Sequence, residues 1–216
     1  MAEVSAAVAE RLSSVARRLR AARREALAAV AVEETEWEYA GRTWSWPAGE
    51  AMTYFRDLAP AERAVLDDAA ADHGYEVVGV GTGRVAVALP GGTAPRVAKL
   101  ARWGPSAEMG DGRPQNRRER AVWDAASTHP FLPVRAASDD GDWLVMPRAR
   151  VPPPEPERAV AAVRDALSDH RDRFHFDELK PENVGAYRGR CWVVDYGRPT
   201  GEPLFVAPPE PGDGAE

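Results

Sequence analysis

Cysteine is nearly missing from this sequence: the 216 residues contain one. A lone cysteine forms no internal disulfide, and an intracellular setting is the simplest reading. Long apolar runs are missing too. None approaches the roughly 18 residues that a membrane-spanning helix needs. The start, Met1-Ala2-Glu3-Val4, lacks the basic-then-apolar layout of a secretory signal, so a cytoplasmic location with no membrane partner is expected. Positive charge is not in excess either. The formal charge of −6 argues against a general nucleic-acid binder. Lysine is scarcest of the charged residues. Lys and Arg number 28 together, and only Lys99 and Lys180 are lysines. Lysine is a compact point charge and arginine a planar fork, so the two kept lysines mark positions of interest.

What is present suffices for a core: 44% of the residues are hydrophobic, and 216 residues are enough for one domain or one plus an appendage. Residues 4 to 30 read as a helix, with Val8, Leu12, Val15, Leu19, Ala22 and Ala26 at three- and four-residue steps. Arg11, Arg17, Arg18, Arg20, Arg23 and Arg24 are expected to make its outer face basic. Such a helix docks on the domain or pairs with a second copy; an anionic partner is the sharper alternative. Glu36 to Trp46 alternates aromatic and polar residues about an Ala40-Gly41-Arg42 turn, as a β-hairpin does. Trp37 and Tyr39 share one face, as do Trp44 and Trp46. Pro47 to Leu58 and Pro60 to His73 read as two short helices, the second ended by Gly74.

From Tyr75 the period becomes that of strands. Glu76 to Leu89 reads as strand, glycine-rich turn and strand, with Gly79, Gly81 and Gly83 in the turn region. A helix after the glycines would point to a dinucleotide fold, but Val85-Ala86-Val87-Ala88-Leu89 continues as strand. Arg96 to Leu100, which holds Lys99, is the third strand. Gly104 to Pro114 reads as a loop, and Asn116 as the cap of a helix over Arg117 to Ala126 that carries Glu119. Phe131 to Val134 and Trp143 to Met146 read as two more strands around an Asp139-Asp140-Gly141-Asp142 turn. Met146-Pro147-Arg148-Ala149 reads as a connector, and Pro156 to Arg171 as a helix. Nothing after Pro203 has a clear pattern, and 208–216 reads as a disordered tail.

One stretch ties these parts together. His175-Phe176-Asp177-Glu178-Leu179-Lys180-Pro181-Glu182-Asn183 is followed by a hairpin pattern and then by Val193-Val194-Asp195-Tyr196-Gly197. A tight hairpin turn at Ala186 to Arg190 brings Asn183 and Asp195 near each other. This resembles the catalytic loop and the Asp-Phe-Gly metal motif of protein kinases, with Tyr196 in place of Phe. The resemblance runs from about Glu76 to Arg198.

The resemblance implies an α+β, protein-kinase-like fold. Residues 1–74 would form an N-terminal extension, 75–148 an antiparallel-sheet N-lobe and 149–207 a small helical C-lobe. It also implies ATP and Mg2+ as cofactors. Gly79, Gly81, Gly83, Lys99, Glu119 and Met146 would surround the nucleotide, with Glu119 holding Lys99. Asn183 and Asp195 would hold the metal, and Lys180 would steady the terminal phosphate. The base would be Asp177 or Glu178. The family spacing puts it five residues before the Asn, where Glu178 stands, while Asp177 has the usual chemistry. Only 19 residues follow Gly197 in this sequence, too few for the segment that supports a peptide acceptor. The expectation is a minimal Ser/Thr-type phosphotransferase acting on itself or another protein. The alternative is a pseudokinase, a nucleotide-binding regulatory module whose N-terminal helix engages a partner.

Overall fold

The structure, a computed structural model, describes residues 4–30, 34–39, 42–47, 53–54, 57–92, 94–105, 110–168, 175–176, 179–197 and 205–206. The first periodic stretch is helix α1, Ala6–Val30. It has no Gly or Pro and is rich in Ala, Leu and Arg, all strong helix formers. Strands β1, Glu34–Tyr39, and β2, Arg42–Pro47, pair as an antiparallel hairpin with Trp37 opposite Trp44. The aromatic side-chain faces and the Ala40-Gly41 turn lie outside the described residues. Pro47 closes β2 rather than opening a helix; at the end of a ladder its missing N–H costs little. Most of the short helix expected before Leu58 also lies outside the described residues.

Helix α2, Pro60–His73, starts and stops as its sequence predicts. The Ala59 N–H donates to Glu62 Oε2 at 2.9 Å. Gly74 takes φ 67°, and its N–H closes on the Ala69 and Ala70 carbonyls. Five strands then form one antiparallel sheet: β3, Glu76–Val80; β4, Arg84–Leu89; β5, Arg96–Ala101; β6, Ala136–Ala137; and β7, Trp143–Pro147. Their order is β3-β4-β5-β7-β6. Helix α3, Gly112–Ala126, leads from β5 to β6. It begins earlier than expected because Asp111 caps it, accepting the Arg113 N–H at 2.9 Å, and Pro114 is tolerated in a first turn. Asn116 is therefore an interior helix residue and no cap. The strand expected over Phe131 to Val134 is a single parallel bridge from Phe131 to Val193. Pro133 has no N–H to extend it.

Helix α4, Pro156–Ser168, follows the connector; 169–171 of the expected helix lie outside the described residues. Strand β8, His175–Phe176, comes next, and β9, Val184–Tyr187, and β10, Arg190–Val193, form a hairpin. Its two-residue turn has positive φ at both Arg188 (50°) and Gly189 (72°), the geometry that suits strand twist. Neighbours cover both hairpin edges. Arg150 and Ala186 exchange two backbone bonds of 2.9 Å, and the Leu132 N–H donates to the Val193 carbonyl at 3.0 Å. Strand β11, Phe205–Val206, pairs with β8, an element that the sequence after Pro203 did not signal.

The chain is thus α+β, with four α-helices among the described residues. Strand alternation splits the core in two. Val85, Val87, Leu89, Ala98, Leu100, Trp143 and Val145 pack under α1 and α2. Leu144 and Met146 face the other way, toward α4, Phe131, Val184 and Val193. The apolar face of α1 docks on this sheet through Leu12, Val15 and Leu19, as one of its expected roles requires. Its basic face departs from expectation. Arg20 and Arg23 are buried, because each has acceptors inside the fold. Arg20 meets Asp111 at 2.7 and 3.1 Å. Arg23 donates to the Thr82 and Tyr54 carbonyls at 2.7 and 2.8 Å.

Beside them Arg102 and Glu62 form an ion pair, each 0% exposed. Arg102 Nε and Nη2 donate to the two carboxylate oxygens at 2.8 Å each. Its other N–H groups reach the Gly81 and Asp57 carbonyls at 2.7 Å. A guanidinium has donors enough for all of these, and an ammonium does not. Glu62→Gln is expected to destabilise the protein by about 3–5 kcal/mol, since it strands a buried cation. Urea unfolding of the variant against the wild type measures this.

Candidate functional site

The sheet face opposite α1 carries two cations. Arg84 opens β4, and Lys99 in β5 lies across from Ala86, so Arg84, Ala86 and Lys99 share a face. Helix α3 brings Asn116 and Glu119 to that face, three residues apart and so on one side of the helix. The β9–β10 hairpin brings Asp195. The Val194 N–H donates to the Asn183 carbonyl at 2.8 Å, which continues the ladder and leaves Asp195 one residue beyond it.

Four charges meet here. Lys99 Nζ donates to Glu119 Oε1 and Oε2 at 2.8 and 3.0 Å, and also to the Val194 carbonyl. The Arg84 guanidinium grips the same carboxylate, at 2.9 Å to Oε2 and 3.2 Å to Oε1. Its Nη2 also pairs with Asp195 Oδ1, and its Nη1 donates to Asn116 Oδ1 at 3.3 Å. Asn116 Nδ2 in turn donates to the Lys99 and Gly141 carbonyls at 3.2 and 2.9 Å. The Tyr196 N–H donates to Glu119 Oε1 at 2.9 Å. Glu119 is 0% exposed, Arg84 7% and Lys99 14%, whereas Asp195 at 42% reaches water.

The electrostatics follow from this crowding. Burial alone raises the Asp195 carboxyl, but the charges of Arg84 and then Lys99 outweigh it and hold it at about 2. Lys99 is lowered from its ordinary value by burial and then by Arg84, against the opposing pull of Glu119 and Asp195. The Tyr196 hydroxyl is pushed up by burial, then by Glu119; it donates to the Leu132 carbonyl at 2.6 Å.

The glycine-rich turn is tied down from behind. Gly81 N–H bonds the Arg84 carbonyl at 2.8 Å, and the Gly83 carbonyl accepts the Arg102 N–H at 2.7 Å. Arg102 and Arg23 hold the Gly81 and Thr82 carbonyls. Gly83 is buried, and a Cβ there would lie 2.7 Å from Gln115 Nε2. Gly79 and Gly81 are exposed. Added Cβ atoms would find nothing nearer than 3.7 and 3.6 Å, so no contact within the chain demands glycine there.

Other expected site residues are less gathered. Met146 is 1% exposed in the core beneath the sheet. Lys180 precedes the short 3-10 helix Pro181–Asn183. Asp177 and Glu178 lie outside the described residues. The amide of Asn183 and the carboxylate of Asp195 are oxygen donors of the kind magnesium takes. Asp195 Oδ1 is nonetheless already paired with Arg84, and a divalent ion against that oxygen would lie beside a guanidinium. As folded, this pair does not fit the metal. Among the described residues no group of three or more His, Cys, Asp or Glu side chains is arranged to hold one.

Arg84 and Asn116 are the site members that sequence reasoning missed. The signal was available for Arg84: a lone ion at the head of the apolar strand Val85 to Leu89, on the alternation that points with Lys99. No protein-family model matches the chain, and no characterised protein is significantly similar to it in sequence.

Two outcomes are expected. The stability that Asp195 contributes is present above its ordinary value of 3.8 and is lost as pH falls through about 2. Wild type should therefore lose stability more steeply than Asp195→Asn between those pH values, in unfolding followed by circular dichroism. At Gly197 a Cβ would come 2.2 Å from the Gln115 carbonyl oxygen and 2.6 Å from Glu119 Cγ. Gly197→Ala should cost about 1–3 kcal/mol by overpacking, read from denaturant midpoints.

Proposed function

We propose that this chain is a protein-kinase-like nucleotide-binding module of the pseudokinase kind, which binds ATP and transfers phosphate weakly or not at all. The observation that carries this reading is the Lys99–Glu119 pair beside a glycine-rich turn, with Asp195 held by Arg84. The pair is the phosphate-positioning couple that the sequence resemblance implies. The exposed Gly79 and Gly81 support a ligand approaching the backbone, because glycine there has no role in packing. Lys99 and Arg84 would meet the phosphates, and Glu119 would orient both cations. When bound, ATP would supply the phosphoryl group; this chain's residues supply position and charge. The engagement of Asp195 by Arg84 argues for weak or absent transfer.

Active phosphotransfer is the second reading. Its support is the hairpin, which sets Lys180-Pro181-Glu182-Asn183 beside Val194 and Asp195. Asp177 or Glu178 would then accept the hydroxyl proton. Radiolabel transfer from γ-labelled ATP, by wild type, Asp177→Asn and Glu178→Gln, separates the two readings. Transfer abolished in either variant favours the enzyme, and ATP binding without transfer in all three favours the module.

Lys99→Ala should weaken ATP binding by about tenfold or more, the loss of one charge-assisted contact. Lys180→Ala should leave the affinity within about twofold of wild type. Calorimetry on both variants measures this, and equal affinities for all three proteins would sink the nucleotide site.

A further inference from the structure

The resemblance calls for a divalent ion at Asp195, and the fold puts an arginine there. We infer that Arg84 is the resident counter-ion of Asp195, standing where that metal would stand. The carboxylate is then closed to divalent ions, and the site takes polyphosphate without one.

Arg84 is built in rather than draped over the site. Its guanidinium is bonded to Asn116 and Glu119 of α3 and to Asp195 after β10. Its backbone carbonyl accepts the Gly81 N–H, and the next turn carbonyl, that of Gly83, is fixed by Arg102. A swing away from Asp195 would carry a buried guanidinium off the Glu119 carboxylate that it grips with two nitrogens. The charge count points the same way. Lys99 and Arg84 already balance Glu119 and Asp195. The cluster is thus neutral without a divalent ion, and Arg84 already places positive charge beside Asp195 where a metal ordinarily would. A guanidinium stays charged at every working pH and presents its donors in a fixed fork. Its two terminal nitrogens hold Asn116, Glu119 and Asp195, which leaves the Nε–H as the donor not engaged by them.

The test has a metal arm, which stands without the nucleotide reading, and a nucleotide arm, which rests on it. In the first, Mn2+ alone is titrated into the full chain and followed by electron paramagnetic resonance. Wild type should show no saturable site that Asp195→Asn removes. Arg84→Gln should gain one, and Arg84→Gln/Asp195→Asn should lose it. Saturable Mn2+ binding by wild type that depends on Asp195 overturns the inference, as does a folded Arg84→Gln that gains no site. Should Arg84→Gln fail to fold, wild type and Asp195→Asn decide alone. In the second arm, ATP is titrated into wild type with magnesium or with EDTA. Affinities within about twofold of each other support the inference, and a loss of about tenfold or more in EDTA overturns it. If ATP binds under neither condition, the proposed function falls while the Mn2+ titration still decides the role of Arg84.

Discussion

The buried carboxylate of Glu119 is the constraint on which this side of the molecule turns. A charge removed from water is tolerated only when it is paired and hydrogen-bonded. Glu119 has 0% exposure and receives Lys99, Arg84 and the Tyr196 N–H. Each donor comes from a different element: β5, β4 and the segment after β10. Satisfying one carboxylate therefore fixes the helix, the sheet and the hairpin relative to each other. It also sets the position of Asp195, because Lys99 bonds the Val194 carbonyl while Arg84 bonds the Asp195 side chain.

A second ion pair does comparable work behind the glycine-rich turn. Arg102 joins Glu62 of α2 to the Gly81 carbonyl, and Arg23 of α1 joins the Thr82 and Tyr54 carbonyls. The turn is thus held between two arginine-centred networks, one on each side of the sheet. This gives the buried arginines Arg20, Arg23, Arg84 and Arg102 a physical reason. Several acceptors converge on each buried cation, and a fork with five N–H groups serves them where a single ammonium would leave some unpaired. Lys99 stands where only a narrow reach is needed, to one carboxylate and one carbonyl.

Electrostatic closure and the proposed function meet at Arg84. Preorganised charge acts strongly in a dry site because no solvent has to reorganise around it. The same preorganisation limits what else can enter, because an anion paired with a fixed cation is not free to take another. The four-charge cluster thus sets two cations against two carboxylates, and the proposed anion site rests on that arrangement.

Local pattern alone determined a good part of this protein. Helix α2 follows from Pro60, Glu62 and Gly74, strands β3 to β5 from their alternation, and the β9–β10 hairpin from Arg188-Gly189, because each signal lies within the element it shapes. The pairing of Lys99 with Glu119 was legible through a resemblance in motif order. Tertiary structure decided the rest. Arg84 and Asp195 are 111 residues apart, and no local period connects them. Arg20 and Arg23 read as solvent-facing until Asp111 and the carbonyls of Thr82 and Tyr54 are brought beneath them. Asn116 reads as a cap until Asp111 is seen to hold that place, and β11 has no pattern until β8 lies beside it. In each case the sequence specifies a polar group or a strand, but its partner is chosen by proximity in the folded chain.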